Sequence, residues 1–129
     1  NKNLNFTEED RIENIRRAAE VSKLFVNCGI ITICSLISPT HQIRQMAKSI
    51  IGEEKYFEVF VNCPLEVCET RDTKGLYRKA RNGELKNFTG IDSPFEEPEH
   101  PDLEIKSDIN SIETCHNQLV ESVINKIKL

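Results

Sequence analysis

Apolar residues along the chain alternate between stripes with helical spacing and short continuous runs. A first helix is predicted to begin after Thr7, whose side chain can accept from free backbone amides, and to end before Gly29. Residues 30–37 then form a nearly continuous β-branched run, which is typical of a strand buried on both faces of a parallel sheet. A second helix is predicted over residues 41–51, ending at Gly52.

The second half of the chain repeats this alternation in shorter pieces. A strand is predicted over residues 56–61, and Asn62 and Pro64 then turn the chain into a short helix. Residues 87–102 contain Gly90 and three prolines, which predicts a long irregular loop. The remaining predicted elements are a helix over 65–70, a basic helix over 74–82, a strand over 103–105 and a final helix over 110–128.

This order of helices and strands is typical of a doubly wound α/β fold in one domain. The three predicted strands are fewer than the ~4–6 of a typical sheet. The chain also opens on a loop and a helix rather than on a strand. We therefore expect three layers, with a mostly parallel sheet between helices and a first strand that precedes residue 1.

Composition and charge narrow the classes of function. Apolar residues make up 38% of the 129-residue chain and charged residues 29%, the balance of a globular protein. A formal net charge of −4 argues against nucleic acid as a partner, and no apolar run approaches the ~18 residues of a membrane span. The five cysteines include no Cys-x-x-Cys pair, so we expect no metal site. We expect these cysteines to be reduced thiols in the core of a cytoplasmic protein.

Positive charge is concentrated in two segments of this acidic chain. Residues 71–86 carry six basic and two acidic side chains, so they are either a solvated helix face or an anion-binding lid, which the long loop after them favours. The first helix carries Arg11, Arg16 and Arg17, which fit either surface charge or oxyanion recognition. Ser38 follows the predicted buried strand and could cap the next helix or contact a ligand.

Four segments, in order, closely resemble the adenylylsulfate (APS) kinase family. They are residues 3–17 (NLNFTEEDRIENIRR), 36–39 (LISP), 57–72 (FEVFVNCPLEVCETRD) and 74–91 (KGLYRKARNGELKNFTGI). The resemblance implies an α/β P-loop kinase fold that transfers the γ-phosphoryl of MgATP to the 3′-hydroxyl of APS, giving PAPS and ADP. The family's Walker motif has no counterpart in this sequence. Residues 1–129 are therefore expected to be the C-terminal two-thirds of one kinase domain, with a lid at about 74–91.

The resemblance also implies roles for individual residues. Phe6 and Phe88 are expected to sandwich the adenine of APS, and stacking on each ring is worth about 1–3 kcal/mol. The other expected APS contacts are Arg11, Asn14, Ile37, Ser38, Lys74 and Asn87, with Lys74 reaching the nucleotides during transfer. The expected lid and ATP-side residues are Arg78, Lys79, Arg81 and Asn110. The resemblance implies substrate MgATP, no tightly bound cofactor, no metal ligands in this chain, and a homodimer.

Three points stay open in the sequence. Ser38 aligns with a serine described in some members as a phosphoserine intermediate, but positioning and charge stabilisation suffice for phosphoryl transfer, so we expect no necessary covalent role. Asn62 replaces an aspartate of the family pattern and is expected to cap the following helix in its place. The alternative to a kinase is a non-catalytic domain that binds APS or PAPS.

Overall fold

The computed structural model describes residues 1–127, so the predicted end of the last helix at Lys128 lies outside the described residues. Chain contacts divide it into two compact units, one of residues Asn1–Tyr56 with Leu76–Glu97, the other of Phe57–Gly75 with residues 98–127. The elements in chain order are α1 (Glu8–Asn27), α2 (His41–Ile51), a 3-10 turn (Glu53–Lys55), β1 (Val59–Asn62), α3 (Leu65–Thr70), α4 (Leu76–Arg81), β2 (Leu103–Lys106) and α5 (Ile112–Ile127).

The first unit is built on α1 packed against α2. The hydroxyl of Thr7 accepts from the amide of Asp10, and that of Thr40 accepts from the amide of Ile43, so each helix begins with a side-chain cap. Three acidic residues occupy the first turn of α1, where the helix dipole favours negative charge. The core between the helices consists of Ile15, Ala19, Ile43 and Ala47, covered by Ile12, Met46, Ile50, Ile51 and Tyr56.

The second unit contains the only sheet within residues 1–127. Strands β1 and β2 pair in parallel, with Val59 opposite Leu103 and Val61 opposite Ile105. Phe60 and Ile105 are buried, and α5 packs against β2. The sequence predicts parallel strands at both positions. The ends of β1 and β2 lie within three residues of the predicted ends.

The predicted strand over residues 30–37 is not a strand in the structure. These residues run without regular secondary structure, and Ile33 is 84% exposed and Ile37 63% exposed. The prediction of burial on both faces is therefore wrong for this segment. A strand is defined by hydrogen bonds to a neighbouring strand, and none of the described residues forms a ladder with this segment.

Three smaller expectations are also corrected. The basic helix begins at Leu76 rather than Lys74, since Gly75 takes a left-handed φ of 66° just before it. Asn62 does not cap α3, because Pro64 holds the capping position. The side-chain amide of Asn62 donates to the Glu104 carboxylate instead. All five cysteines are free thiols, but none is buried, so they are not core residues. Over residues 1–127, no helix is both long enough and apolar enough to cross a bilayer.

Candidate functional site

Arg11, one turn into α1, joins two distant parts of the first unit. Its Nε donates to the carbonyl oxygen of Phe6 at 3.2 Å, and its Nη2 donates to the carbonyl oxygen of Asn87 at 2.5 Å. The guanidinium also lies 5.7 Å from the centre of the Phe6 ring, within the range of a cation–π contact. A single cation therefore brings the Phe6 segment and the Asn87 segment to one place.

A tight turn presents Phe88 next to this cation. Asn87 adopts a left-handed φ of 57°, and the Asp92 carboxylate accepts from the amides of Asn87 at 2.8 Å and Phe88 at 2.5 Å. The carbonyl of Phe88 in turn accepts from the amides of Ile91 and Ser93. The ring of Tyr77 on α4 meets the Phe88 ring edge-on, with centroids 5.0 Å apart. Backbone and side chain of Phe88 are thus both held in place.

The charges at this turn support one another. The pKa of Asp92 lies below its ordinary value, first because its carboxylate accepts from the Phe88 amide and then because it accepts from Asn87, with Arg11 contributing in the same direction. Burial lowers the pKa of Arg11, and the charge of Asp92 opposes that effect. Arginine stays protonated through such shifts, so the site keeps its positive charge.

The other two arginines of α1 are engaged on the helix surface. The Glu13 carboxylate pairs with Arg16 and with Arg17, each at 2.7 Å. These contacts lower the pKa of Glu13 to about 2, with the hydrogen bond from Arg16 as the largest cause. Of the two interpretations of the basic group, surface charge therefore fits Arg16 and Arg17, whereas Arg11 lies over the Phe6 ring.

Ser38 lies in a turn that is held from two sides. Its carbonyl oxygen accepts from Nη1 of the buried Arg44 at 2.8 Å. The next residue, Pro39, is buried and accepts from the amide of Glu96 at 2.8 Å, and the Glu96 carboxylate accepts from the amide of His41 at 2.5 Å. Ser38 does not cap α2, since Thr40 does so. Its neighbour Ile37 is largely exposed.

The structure brings together only part of the predicted site. Phe6, Arg11, Asn87 and Phe88 meet as described, and Asn14 lies one turn after Arg11 on α1, where its side chain bonds to that of Asn1. The predicted lid is divided between the two units, because Lys74 belongs to the second unit, whereas α4 carries Arg78, Lys79 and Arg81 in the first. Asn110 also belongs to the second unit, just before α5.

Four residues that hold this site together were not predicted: Tyr77, Asp92, Arg44 and Glu96. An aspartate two residues after a turn glycine is a recognisable signal for Asp92, because such side chains bond to nearby amides. Glu96 acts on His41, 55 positions away, whereas Arg44 acts on nearby Ser38 and His41 and Tyr77 acts on Phe88 outside its own helix, in each case without a sequence motif that marks the contact. Within residues 1–127, no three His, Cys, Asp or Glu side chains form a group that could hold a metal ion.

A family model described as adenylylsulphate kinase matches residues 1–106 of the chain. The chain belongs to this family. It is 59% identical over 128 residues to an adenylyl-sulfate kinase of Bacteroides thetaiotaomicron, covering 99% of this chain and 64% of that relative. It is 51% identical over 127 residues to a probable adenylyl-sulfate kinase of Bacillus subtilis, covering 98% and 64%. The chain therefore spans a little under two-thirds of these relatives.

A solved structure of the Mycobacterium tuberculosis APS kinase CysC, in complex with AMPPNP and APS, superposes on this chain with a TM-score of 0.90. The two are 40% identical, and the match covers 95% of this chain and 72% of the other. The fold is therefore the α/β P-loop kinase fold, as the resemblance implied. Within residues 1–127, no strand precedes α1 and no Gly-x-x-x-x-Gly-Lys-Ser/Thr phosphate-binding motif is present.

Proposed function

We propose that the intact protein transfers the γ-phosphoryl group of MgATP to the 3′-hydroxyl of APS, giving PAPS and ADP. The single observation that carries this proposal is the contact of Arg11 with both the Phe6 and the Asn87 segments, which places a cation over the Phe6 ring and at the backbone carbonyl that precedes Phe88. A sulfated adenosine needs such a pair of features, because its base stacks on rings and its phosphosulfate binds a guanidinium. Relatives that carry the adenylyl-sulfate kinase name at 51–59% identity support the same reaction.

In this proposal Phe6 and Phe88 hold the adenine of APS. Phe6 is 51% exposed, so its ring can accept a base, while the Phe88 ring already packs against Tyr77 and the Phe88 amide donates to Asp92. A ring that is fixed before binding loses little conformational entropy when the base arrives. The turn at Asn87 and Phe88 therefore serves as a preformed wall for the base.

Arg11 and Asn14 then hold the phosphosulfate and the ribose. They lie one turn apart near the start of α1, where the helix dipole adds to the positive charge of the guanidinium. Asn87 contacts APS beside Phe88. Ile37 and Ser38 line the other side of the pocket through backbone and side-chain groups.

Lys74 and the exposed basic residues of the lid complete the transfer. The transferred oxygens spread negative charge, so Lys74 with Arg78, Lys79 and Arg81 stabilises the transition state and excludes water when the lid closes. Asn110 lies on the ATP side. Mg²⁺ enters as part of the ATP substrate, and the proposal includes no tightly bound cofactor.

We further propose that residues 1–129 form the C-terminal two-thirds of one kinase domain. The C-terminal half of α1 carries an apolar stripe, Val21, Leu24 and Phe25, which is 47–67% exposed, and the apolar segment 30–37 follows it. Contiguous exposed apolar surface of this kind favours contact with further protein. The part of the relatives' length that this chain does not span would cover the stripe and give residues 30–37 strand neighbours.

The resemblance adds a homodimer and a cytoplasmic location to the proposal. The activity is tested by incubating the intact protein with MgATP and APS and measuring ADP together with the mass of the nucleotide product. We expect ADP formation that depends on APS, with one phosphoryl group added per APS consumed. Tight APS binding without ADP formation would favour the non-catalytic alternative, and sedimentation of the same sample tests the dimer.

A further inference from the structure

Arg44 is the only buried charged residue within residues 1–127, with 7% of its surface exposed. Burying a guanidinium is costly unless its donors are used, so its partners indicate what it is there to hold. Nη1 donates to the carbonyl oxygen of Ser38 at 2.8 Å, and Nη2 lies 3.0 Å from Nδ1 of His41. Both of these partners belong to residues 38–41, which we term the serine turn.

Glu96 holds the same turn from the other side. It makes two bonds of opposite direction: its amide donates to Pro39 at 2.8 Å, and its carboxylate accepts from the His41 amide at 2.5 Å. The second bond satisfies one of the free amides at the start of α2. Glu96 is only half-buried, but a backbone bond and a side-chain bond together fix its position against the turn.

Glu96 also ends the loop that begins at Phe88. Between them, the carboxylate of Asp92 and the carbonyl of Phe88 organise the turn, so the segment from Phe88 to Glu96 is anchored at both ends. One anchor lies beside Arg11 through Asn87, and the other lies on the serine turn. The two anchors therefore connect the turn at Phe88 with the serine turn through one short segment.

We propose that Arg44 and Glu96 are positioning residues that hold the serine turn against the loop carrying Phe88. This inference rests on the proposed function, in which Ser38 and Phe88 contact the same APS molecule. Arg44 holds the Ser38 carbonyl in place. Glu96 holds the end of the loop that carries Phe88 against the serine turn. The serine turn is then already ordered before APS binds, so binding does not include the entropy loss of ordering it.

The test compares steady-state kinetics of the intact wild-type protein with Glu96→Ala, Glu96→Gln and Glu97→Ala. Removing the acceptor in Glu96→Ala should raise KM for APS about tenfold and leave KM for ATP and the melting temperature close to wild type. Glu96→Gln keeps an acceptor oxygen and should restore most of the APS affinity. The neighbouring Glu97, which is exposed, is the matched control and should behave as wild type.

An unchanged KM for APS in Glu96→Ala would overturn the inference, as would equal effects of Glu96→Ala and Glu97→Ala. Should Glu96→Ala fail to fold, Arg44→Lys decides the matter, because one ammonium cannot serve both Ser38 and His41 and should produce the same selective rise. A wild-type protein that forms no ADP with APS would contradict the proposed function instead. Amide exchange at His41 would then test the contact itself: faster exchange in Glu96→Ala supports it, and unchanged exchange overturns it.

Discussion

The guanidinium of Arg11 donates to the carbonyl oxygen of Asn87, 76 positions later in the chain, at 2.5 Å. The same guanidinium donates to Phe6 and lies over its ring. The Asp92 carboxylate holds the same turn by accepting from the backbone amides of Asn87 and Phe88. The proposed adenine wall is therefore fixed by one cation and one anion acting on a single turn.

Replacing Arg11 by lysine tests this double contact. Lysine keeps the charge but offers one compact ammonium, which cannot reach both carbonyl oxygens in the manner of the guanidinium fork. We expect APS affinity of the intact protein to fall about tenfold or more, since charge-assisted hydrogen bonds are worth about 1.5–3 kcal/mol. Isothermal calorimetry measures the change.

Arg16→Lys is the matched control on the same helix. Its partner is Glu13 on the exposed surface, and surface ion pairs contribute little, so APS affinity should stay within about twofold of wild type. Equal losses in the Arg11 and Arg16 variants would contradict a specific role for Arg11.

The lid assignment predicts a loss of turnover without a loss of stability. Neutralising Lys74 and Arg78 together, as Lys74→Gln with Arg78→Gln, removes two cations from the proposed transition-state environment. We expect kcat to fall by about 100-fold, while the melting temperature stays close to wild type. A pair of exposed lysines outside the lid, Lys2→Gln with Lys23→Gln, makes the same change in net charge and should leave kcat unchanged. A fall in melting temperature with activity retained would show that the two residues stabilise the fold instead.

Ser38→Ala separates a positioning role from a covalent one. Phosphoryl transfer depends mainly on orientation and charge stabilisation, so we expect the variant to keep measurable turnover, with a raised KM for APS. Ser49→Ala, at an exposed serine of α2 outside the proposed site, is the control. Complete loss of turnover in Ser38→Ala while APS still binds would support an obligatory phosphoserine.

The sequence predicts elements that depend on interactions between neighbouring residues better than elements that depend on residues far along the chain. The bounds of α1 and α2 follow from local signals, because Thr7 and Gly52 act on the turns beside them. Residues 30–37 have the composition of a buried strand, but a strand depends on its neighbours, and none of the described residues pairs with them. The apolar pattern alone therefore predicted an element that this structure does not form.

The candidate site divides in the same way. Phe6, Arg11, Asn87 and Phe88 were predicted through resemblance, and in the structure Arg11 connects the Phe6 segment with the segment of Asn87 and Phe88. Their supports were missed because Glu96 contacts residues far along the chain and Tyr77 contacts a residue outside its own helix. Such contacts produce no periodicity, so only three-dimensional geometry reveals them.

The lowered pKa of Glu13 predicts that the stability of the folded protein depends on pH. Its pKa in the folded protein is about 2, below the ordinary 4.5, because Arg16 and Arg17 bond to the carboxylate. A depressed pKa means that the contribution to stability is fully present above pH 4.5 and is lost as pH falls towards 2.

Thermal or urea unfolding of wild type and Glu13→Gln between pH 7 and pH 2 checks this expectation. Wild type should be the more stable at neutral pH, and the difference should shrink as pH falls through that interval. Added salt should reduce the difference at neutral pH, because the pair is exposed. A difference that stays constant with pH would contradict the role of the carboxylate charge.

The most direct test of the account is calorimetric titration of APS, with and without ADP, into the intact protein and into Phe88→Ala. We expect wild type to bind APS, and the loss of one stacking ring to weaken that binding by about 1–3 kcal/mol, roughly 5- to 150-fold, while ADP binding changes little. Absence of APS binding by wild type, or an equal loss of both nucleotides in Phe88→Ala, would contradict the assignment of Phe6, Arg11 and Phe88 to a sulfated adenosine.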